Sequence, residues 1–184
     1  MTRIVAGEYG GRLLKAPTGA TTRPTSDRTR EALFASIEAT HELTDGPFID
    51  LYAGSGAIGL EAISRGAPTA YFVERHPQAA AVIRANVATL RAQDRCTVLQ
   101  QPADRACQAG AVDAQTVFID PPYDVRTPEL ADLLRTLLDE GLCRPDALVV
   151  VERAHRDRWE WPGGVEPLRD RRYGAAHLWY GLAL

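Results

Sequence analysis

The segment Phe48-Ile49-Asp50-Leu51-Tyr52-Ala53-Gly54-Ser55-Gly56-Ala57-Ile58-Gly59 constrains this chain more than any other. An apolar run passes through glycines into helix-forming residues, in the order strand, tight loop, helix. Glycine in such a loop lets backbone approach a ligand and lets the helix pack against the strand. A strand followed at once by a helix returns to a parallel neighbour, so the segment predicts one unit of an open α/β sheet. The rhythm then repeats. Strand-like runs near 48–52, 70–74, 96–99, 116–120 and 147–151 alternate with helical stretches near 57–65, 77–92, 103–109 and 128–140. Runs that are apolar throughout fit strands covered on both faces.

The two ends depart from this rhythm. Val165–Tyr173, Gly174 and Ala176–Leu182 read as a hairpin that would place an antiparallel strand in the sheet. Residues 3–16 hold two short runs separated by glycines, which predicts a β-hairpin extension over 1–20 ahead of a main domain over 21–184. Arg23-Pro24-Thr25-Ser26-Asp27 predicts a turn and a capped helix start, with Ala32, Leu33, Phe34 and Ile37 as that helix's apolar face. A length of 184 residues fits one domain with a small appendage.

Gly54, Gly56 and Gly59 satisfy G-x-G-x-x-G, and Glu74 follows where a dinucleotide fold places its ribose acid. Spacing alone does not separate NAD from S-adenosylmethionine. Asp50 does. A carboxylate just ahead of the glycines would repel a pyrophosphate, but attracts the ammonium and sulfonium of S-adenosylmethionine. Tyr52, Ala53, Gly54, Ser55 and Gly56 are the candidate loop contacts. Glu74 is a candidate ribose ligand, with a plain surface acid as the alternative, and Arg75 follows it. Ala103 and Asp104 lie after the next strand, where Asp104 could accept from an adenine amine or simply cap a helix.

Asp120-Pro121-Pro122-Tyr123 closes the run Thr116–Ile119. It sets a carboxylate, a stiff turn and a flat ring around one point. The exocyclic amine of a base is a poor nucleophile because its lone pair is delocalised into the ring. Asp120 and a carbonyl of the Pro121-Pro122 turn could accept its two N–H bonds and free that lone pair. Proline fixes φ and carries no N–H, so the turn is rigid and offers acceptors only. Tyr123 could stack on an extruded base.

Net charge is −3, so nothing global demands a polyanion. Over residues 1–30, however, Arg3, Arg12, Lys15, Arg23, Arg28 and Arg30 outnumber Glu8 and Asp27. Arg3, Arg12, Lys15, Arg23 and Arg28 are candidate phosphate contacts, with a solvated charged end as the alternative. Arg28 could instead meet the methionine carboxylate. Cys96, Cys107 and Cys143 are widely spaced and read as small core residues in a reducing cytoplasm, with no metal site expected. No signal-like or membrane-spanning apolar run occurs, so a cytoplasmic protein is the expectation.

These residues in this order resemble a class I S-adenosylmethionine-dependent methyltransferase. More narrowly, they resemble the RsmD family, which methylates a guanine exocyclic nitrogen in 16S ribosomal RNA. The resemblance runs through Arg3-Ile4-Val5-Ala6-Gly7, the segment Arg23 to Phe34, Asp50 to Ala62, Ser64-Arg65-Gly66-Ala67, Glu74, Asn86 and Asp120 to Tyr123. It implies a Rossmann-like, mostly parallel seven-stranded sheet ending in an antiparallel hairpin, and an N-terminal hairpin that helps hold RNA. It implies S-adenosylmethionine contacts at Asp50, Gly54, Gly56 and Glu74 and a catalytic motif over Asp120, Pro121, Pro122 and Tyr123. The implied partner is 16S ribosomal RNA or the assembling small subunit, met by a monomer. The rivals are a DNA methyltransferase acting on adenine N6 or cytosine N4, which uses the same acceptor geometry, and a NAD-dependent oxidoreductase. The latter leaves Asp50 and the Asp120–Tyr123 motif unexplained.

Overall fold

The computed structural model describes residues 2–17, 26–108, 112–154 and 157–184. Arg23 and Thr25 of the expected turn therefore lie outside the described residues. Seven strands form one sheet: β3 (Phe48–Asp50), β4 (Ala70–Val73), β5 (Cys96–Leu99), β6 (Ala114–Ile119), β7 (Cys143–Ala154), β8 (Val165–Tyr173) and β9 (Ala176–Ala183). Their spatial order is β5-β4-β3-β6-β7-β9-β8. The first five run parallel, whereas β9 is antiparallel to both β7 and β8. The expected tail hairpin thus enters the sheet with its last strand inside its penultimate one. Order reverses between β3 and β6, and ligands bind at such a switch point in open α/β sheets.

Strand alternation explains why whole runs are apolar. Phe48, Phe72, Phe118, Leu148 and Val150 pack in one core with helices α1 (Asp27–Glu38), α2 (Ala57–Ser64) and α3 (Pro77–Leu90). Ile49, Val73, Val117, Ile119, Val149 and Val151 face the other way, against α4 (Ala103–Cys107) and α5 (Thr127–Asp139). Both faces are covered, so neither parity can be polar. Strand β7 is longer than its apolar run because pairing with β9 carries it from Leu148 to Ala154. The runs expected to reach Tyr52 and Asp120 stop as strands at Asp50 and Ile119, leaving the site residues in the turns beyond.

Helix α1 starts as expected, with the Ser26 hydroxyl accepting from the Thr29 N–H at 3.1 Å. The N-terminal hairpin forms as β1 (Thr2–Arg3) and β2 (Leu13–Leu14), two residues each. It is bonded into the body. The buried Glu61 carboxylate accepts the N–H groups of Val5 at 2.7 Å and Ala6 at 2.9 Å. Asn86 exchanges hydrogen bonds with the Lys15 backbone. A Cβ on Gly7 would stand 1.9 Å from the Ser64 carbonyl oxygen, so only glycine allows this approach. Arg30, counted in the basic excess of residues 1–30, is wholly buried. It donates to Thr2, to the Arg3 carbonyl and to Asp27, so its charge is used inside the fold.

Candidate active site

Four neighbouring parallel strands each deliver an acid at the carboxyl edge, and register puts all four on one sheet face. Asp50 pairs with Phe72 on one side and Phe118 on the other. Glu74 and Asp120 lie two residues beyond those phenylalanines and share their parity. Glu152 is two beyond Val150, which pairs with Phe118. Asp50 is consequently the deepest of the four.

Asp50 is 2% exposed, and its Oδ2 accepts from the Gly59 N–H at 3.1 Å. Burial pushes its carboxyl up to about 7; the charges of Asp120 and Glu74 add to the rise and the Gly59 bond opposes it. Glu74 is also buried and holds the loop in shape, accepting from the Gly54 N–H at 2.9 Å and the His76 N–H at 2.8 Å. The three glycines divide the labour. A Cβ on Gly54, whose φ is +54, would meet nothing within 4 Å, so its backbone faces open space. Gly56 opens α2 with φ +78. A Cβ on Gly59 would meet the Phe72 ring at 2.4 Å, so this glycine brings helix and sheet together.

Asp120, Pro121 and Tyr123 line a cleft of about 550 Å³ with Glu152. Its far walls are Arg28 at the start of α1 and Tyr173 at the β8–β9 turn. Tyr123 is 77% exposed, an unusual position for a ring that could otherwise pack inside. Burial raises the Asp120 carboxyl to about 6, with Arg153 pulling the other way. Burial and the Asp120 charge raise Glu152 to about 8. Tyr52 is half-buried beside the loop, Ala53 is buried, and Ser55 accepts from Asn86 through its carbonyl at 3.0 Å. Arg75 is exposed, bonded to its neighbour His76. Ala103 is buried and Asp104 exposed in the first turn of α4; Pro102 stands at that helix's N-cap, so Asp104 is no cap. Arg12 and Lys15 are exposed on the hairpin, while Arg3 pairs with Asp27 at 2.9 Å.

A family model described as "Conserved hypothetical protein 95" matches residues 2–181. "Ribosomal RNA small subunit methyltransferase D" of Escherichia coli strain K12 is 36% identical over 150 residues, 82% of this chain and 73% of that protein. This chain belongs to the RsmD methyltransferase family. A solved Escherichia coli structure, "Putative methyltransferase yhhF", superposes on it with a TM-score of 0.85 at 30% identity, covering 98% of this chain and 97% of that one. An RNA methyltransferase from Salinibacter ruber, solved with S-adenosyl-L-homocysteine, shares the fold at a TM-score of 0.66 and 16% identity, over 88% of this chain and 94% of that one. Family and fold agree with the expectation drawn from the residues.

Sequence reading missed Glu152. Its signal is the one that marks Asp120, a single acid directly after a buried apolar strand, here Leu148-Val149-Val150-Val151. Glu61, Asn86 and Arg30, which carry the hairpin, fall within the family resemblance, but the sequence reading gave them no structural role. No helix among the described residues is long and apolar enough to cross a membrane.

Proposed function

We propose that this RsmD-family chain transfers a methyl group from S-adenosylmethionine to the exocyclic N2 amine of a guanine in 16S ribosomal RNA, free or in the assembling small subunit. The observation that carries the reading is the row of acids beneath an open glycine loop, ending at an exposed ring in a cleft. Asp50, Glu74, Asp120 and Glu152 gather acid at this edge of the sheet; burial and mutual repulsion hold protons on Asp50, Asp120 and Glu152 to between about 6 and about 8, and Arg153 is a cation that offsets Asp120. A pyrophosphate would meet like charge here, whereas a cationic ligand relieves it. The S-adenosylmethionine sulfonium supplies a methyl group already activated for transfer.

The chain's own residues then bind and position. Gly54 and Gly56 offer backbone at close range, flanked by Tyr52, Ala53 and Ser55. Asp50 balances the ammonium, and Glu74 accepts from ribose hydroxyls with lone pairs its two backbone bonds leave free. Arg75, Ala103 and Asp104 border the adenine end. On the base side, Tyr123 stacks on an unpaired or flipped guanine. Asp120 and the Pro121 carbonyl accept the two amine hydrogens, Pro122 holds the turn, and Asp120 is placed to take the departing proton. Positioning supplies most of the acceleration, with electrostatics assisting. Arg12, Lys15 and Arg28 contact phosphates, with Arg3 and Arg23 at the edge of that surface.

The test is labelled-methyl transfer to small-subunit RNA from cells lacking this protein, followed by nucleoside mass spectrometry. Label in N2-methylguanosine is the expected result. Label in N6-methyladenosine or N4-methylcytidine, or none at all, would refute the reading.

A further inference from the structure

Among the described residues, Glu152 has no structural partner to explain it. Its Oε2 is buried and makes no hydrogen bond among the described residues. The adjacent cation, Arg153, pairs with Asp157 at 2.9 Å and makes no bond to Glu152 among the described residues. Buried acceptors are ordinarily satisfied, and an unmet one beside a second carboxylate is costly. Such a group persists where something else supplies the donor. Register fixes where that donor must be: Ile119 pairs with Val151, so Asp120 and Glu152 are the next residues of adjacent parallel strands, about 4.8 Å apart as strands are. Both line the same cleft.

We propose that Glu152 selects the substrate base by accepting the N1–H of guanine, next to the amine held by Asp120. The assignment rests on the guanine-N2 reading above. In guanine the ring nitrogen beside the exocyclic amine carries a hydrogen. In adenine, beside N6, and in cytosine, beside N4, the corresponding nitrogen is bare. Two side-by-side acceptors therefore suit guanine's two adjacent donors. The same pair sets a carboxylate oxygen against the lone pair of either rival base, which is rejection by repulsion as well as by a lost bond. The acceptor motif Asp120–Tyr123 serves any exocyclic amine, so it cannot make this distinction itself. Glu152 can.

The test uses the full chain and small-subunit RNA joined by ligation, with the mapped guanosine replaced by 2-aminopurine riboside. That base keeps the 2-amine and has a bare N1. The wild-type protein should prefer guanine by about 30-fold or more in kcat/KM, the size of a lost hydrogen bond to a charged group. Glu152→Gln, whose amide can donate to a bare nitrogen, should compress the preference to about 3-fold or less. Its affinity for S-adenosylhomocysteine by calorimetry should match wild type, which reports an intact fold. An undiminished guanine preference in Glu152→Gln overturns the assignment. So does a wild-type protein that accepts 2-aminopurine as readily as guanine, a result that stands even if the variant misfolds. A wild-type product other than N2-methylguanosine would instead remove the guanine reading, and Glu152's role with it.

Discussion

Asp120 and Glu152 stand side by side at the ends of β6 and β7, one residue past the paired Ile119 and Val151. Each is a half-buried carboxyl that accepts most strongly when ionised, and each holds its proton to unusually high pH: Asp120 to about 6, Glu152 to about 8. At low pH the pair is protonated, each carboxyl presenting an O–H and only a weaker, neutral acceptor; as pH rises through this window, strong charged acceptors appear. The groups around the pair are Arg153 on β7, Arg28 from α1, Arg172 and Tyr173 at the end of β8, and Asp50 on β3, whose rise to about 7 includes the Asp120 charge; guanidinium charges do not change across this range. Steady-state transfer to RNA is thus expected to rise from about pH 6 to about pH 8 and then level off, as one two-step profile of the pair. A flat profile over that range would mean the pair does not act as acceptors.

Asp50 ties cofactor binding to stability in opposite directions. Its folded pKa of about 7 lies above the ordinary aspartate value of 3.8, so the ionised group destabilises the fold above that window and costs nothing below the unfolded value. Asp50→Asn removes the charge and keeps an oxygen for the Gly59 N–H. The variant should be more stable than wild type at pH 8, by on the order of 2 kcal/mol, with the difference fading towards about pH 4. Binding of S-adenosylhomocysteine should fall at least tenfold through loss of the ammonium's partner. Thermal melts at both pH values and calorimetry at pH 8 measure the two effects.

Glu61 is the mooring point of the N-terminal hairpin. Its buried carboxylate takes two backbone N–H bonds, faces Arg65 Nε at 2.9 Å and lies 3.6 Å from Arg30 Nε, both side chains of the latter pair being fully buried. Glu61→Ala removes the fully buried counter-charge of Arg30, leaving it only the half-exposed Asp27, and strips the Val5 and Ala6 N–H groups of their acceptor. A loss of about 3–5 kcal/mol in chemical denaturation is expected, while Glu31→Ala, which breaks an exposed pairing to Arg65, should cost less than about 1 kcal/mol. Equal costs would mean the buried network is not what holds the hairpin.

How much of this was legible follows from which contacts are local. The glycine loop, the Ser26 cap and the Asp120–Tyr123 turn are written in consecutive residues, and the parity of the apolar runs is enough to give a sheet covered on both sides. The bounds of β7 were not legible, because its start pairs Cys143 with Ala114 of β6 across an irregularity and its end pairs with β9, both distant in sequence. Glu152 was hidden for the same reason: after an apolar strand it looks like any surface acid until sheet order sets it beside Asp120. Arg30 was counted only in the basic excess of residues 1–30, and its inward turn depends on partners from two other elements: Thr2 and the Arg3 carbonyl on β1 and Glu61 on α2.

Tyr123 separates stacking from hydrogen bonding. The ring is exposed at the mouth of the cleft that Asp120 lines. Tyr123→Phe should retain wild-type kcat/KM within about threefold, and Tyr123→Ala should lose about 10- to 100-fold, the worth of one base–aromatic stack. Asp120→Ala should abolish turnover while leaving S-adenosylhomocysteine affinity within about threefold, as the proposed role of Asp120 on the base requires. A silent Tyr123→Phe variant would make the hydroxyl, not the ring, the working part.

The RNA surface is best tested by charge, because the hairpin is built into the body. Removing residues 1–20 would take away buried Ile4 and Leu14 and the two backbone donors of Glu61, so lost binding would report lost structure. Arg12 and Lys15 are exposed and free of ion pairs among the described residues. Changing both to Gln should leave the melting temperature unchanged within about 2 °C. Each phosphate contact removed should lower the slope of log K against log salt by about 0.7–0.9, so the double variant is expected to lose about 1.5 in all. Arg28 and Arg172 line the cleft itself, and Arg28→Gln should therefore lower kcat/KM for RNA beyond its share of the salt slope. An unchanged slope in the Arg12, Lys15 double variant would move the RNA surface off the hairpin and onto the cleft rim that Arg28 and Arg172 share.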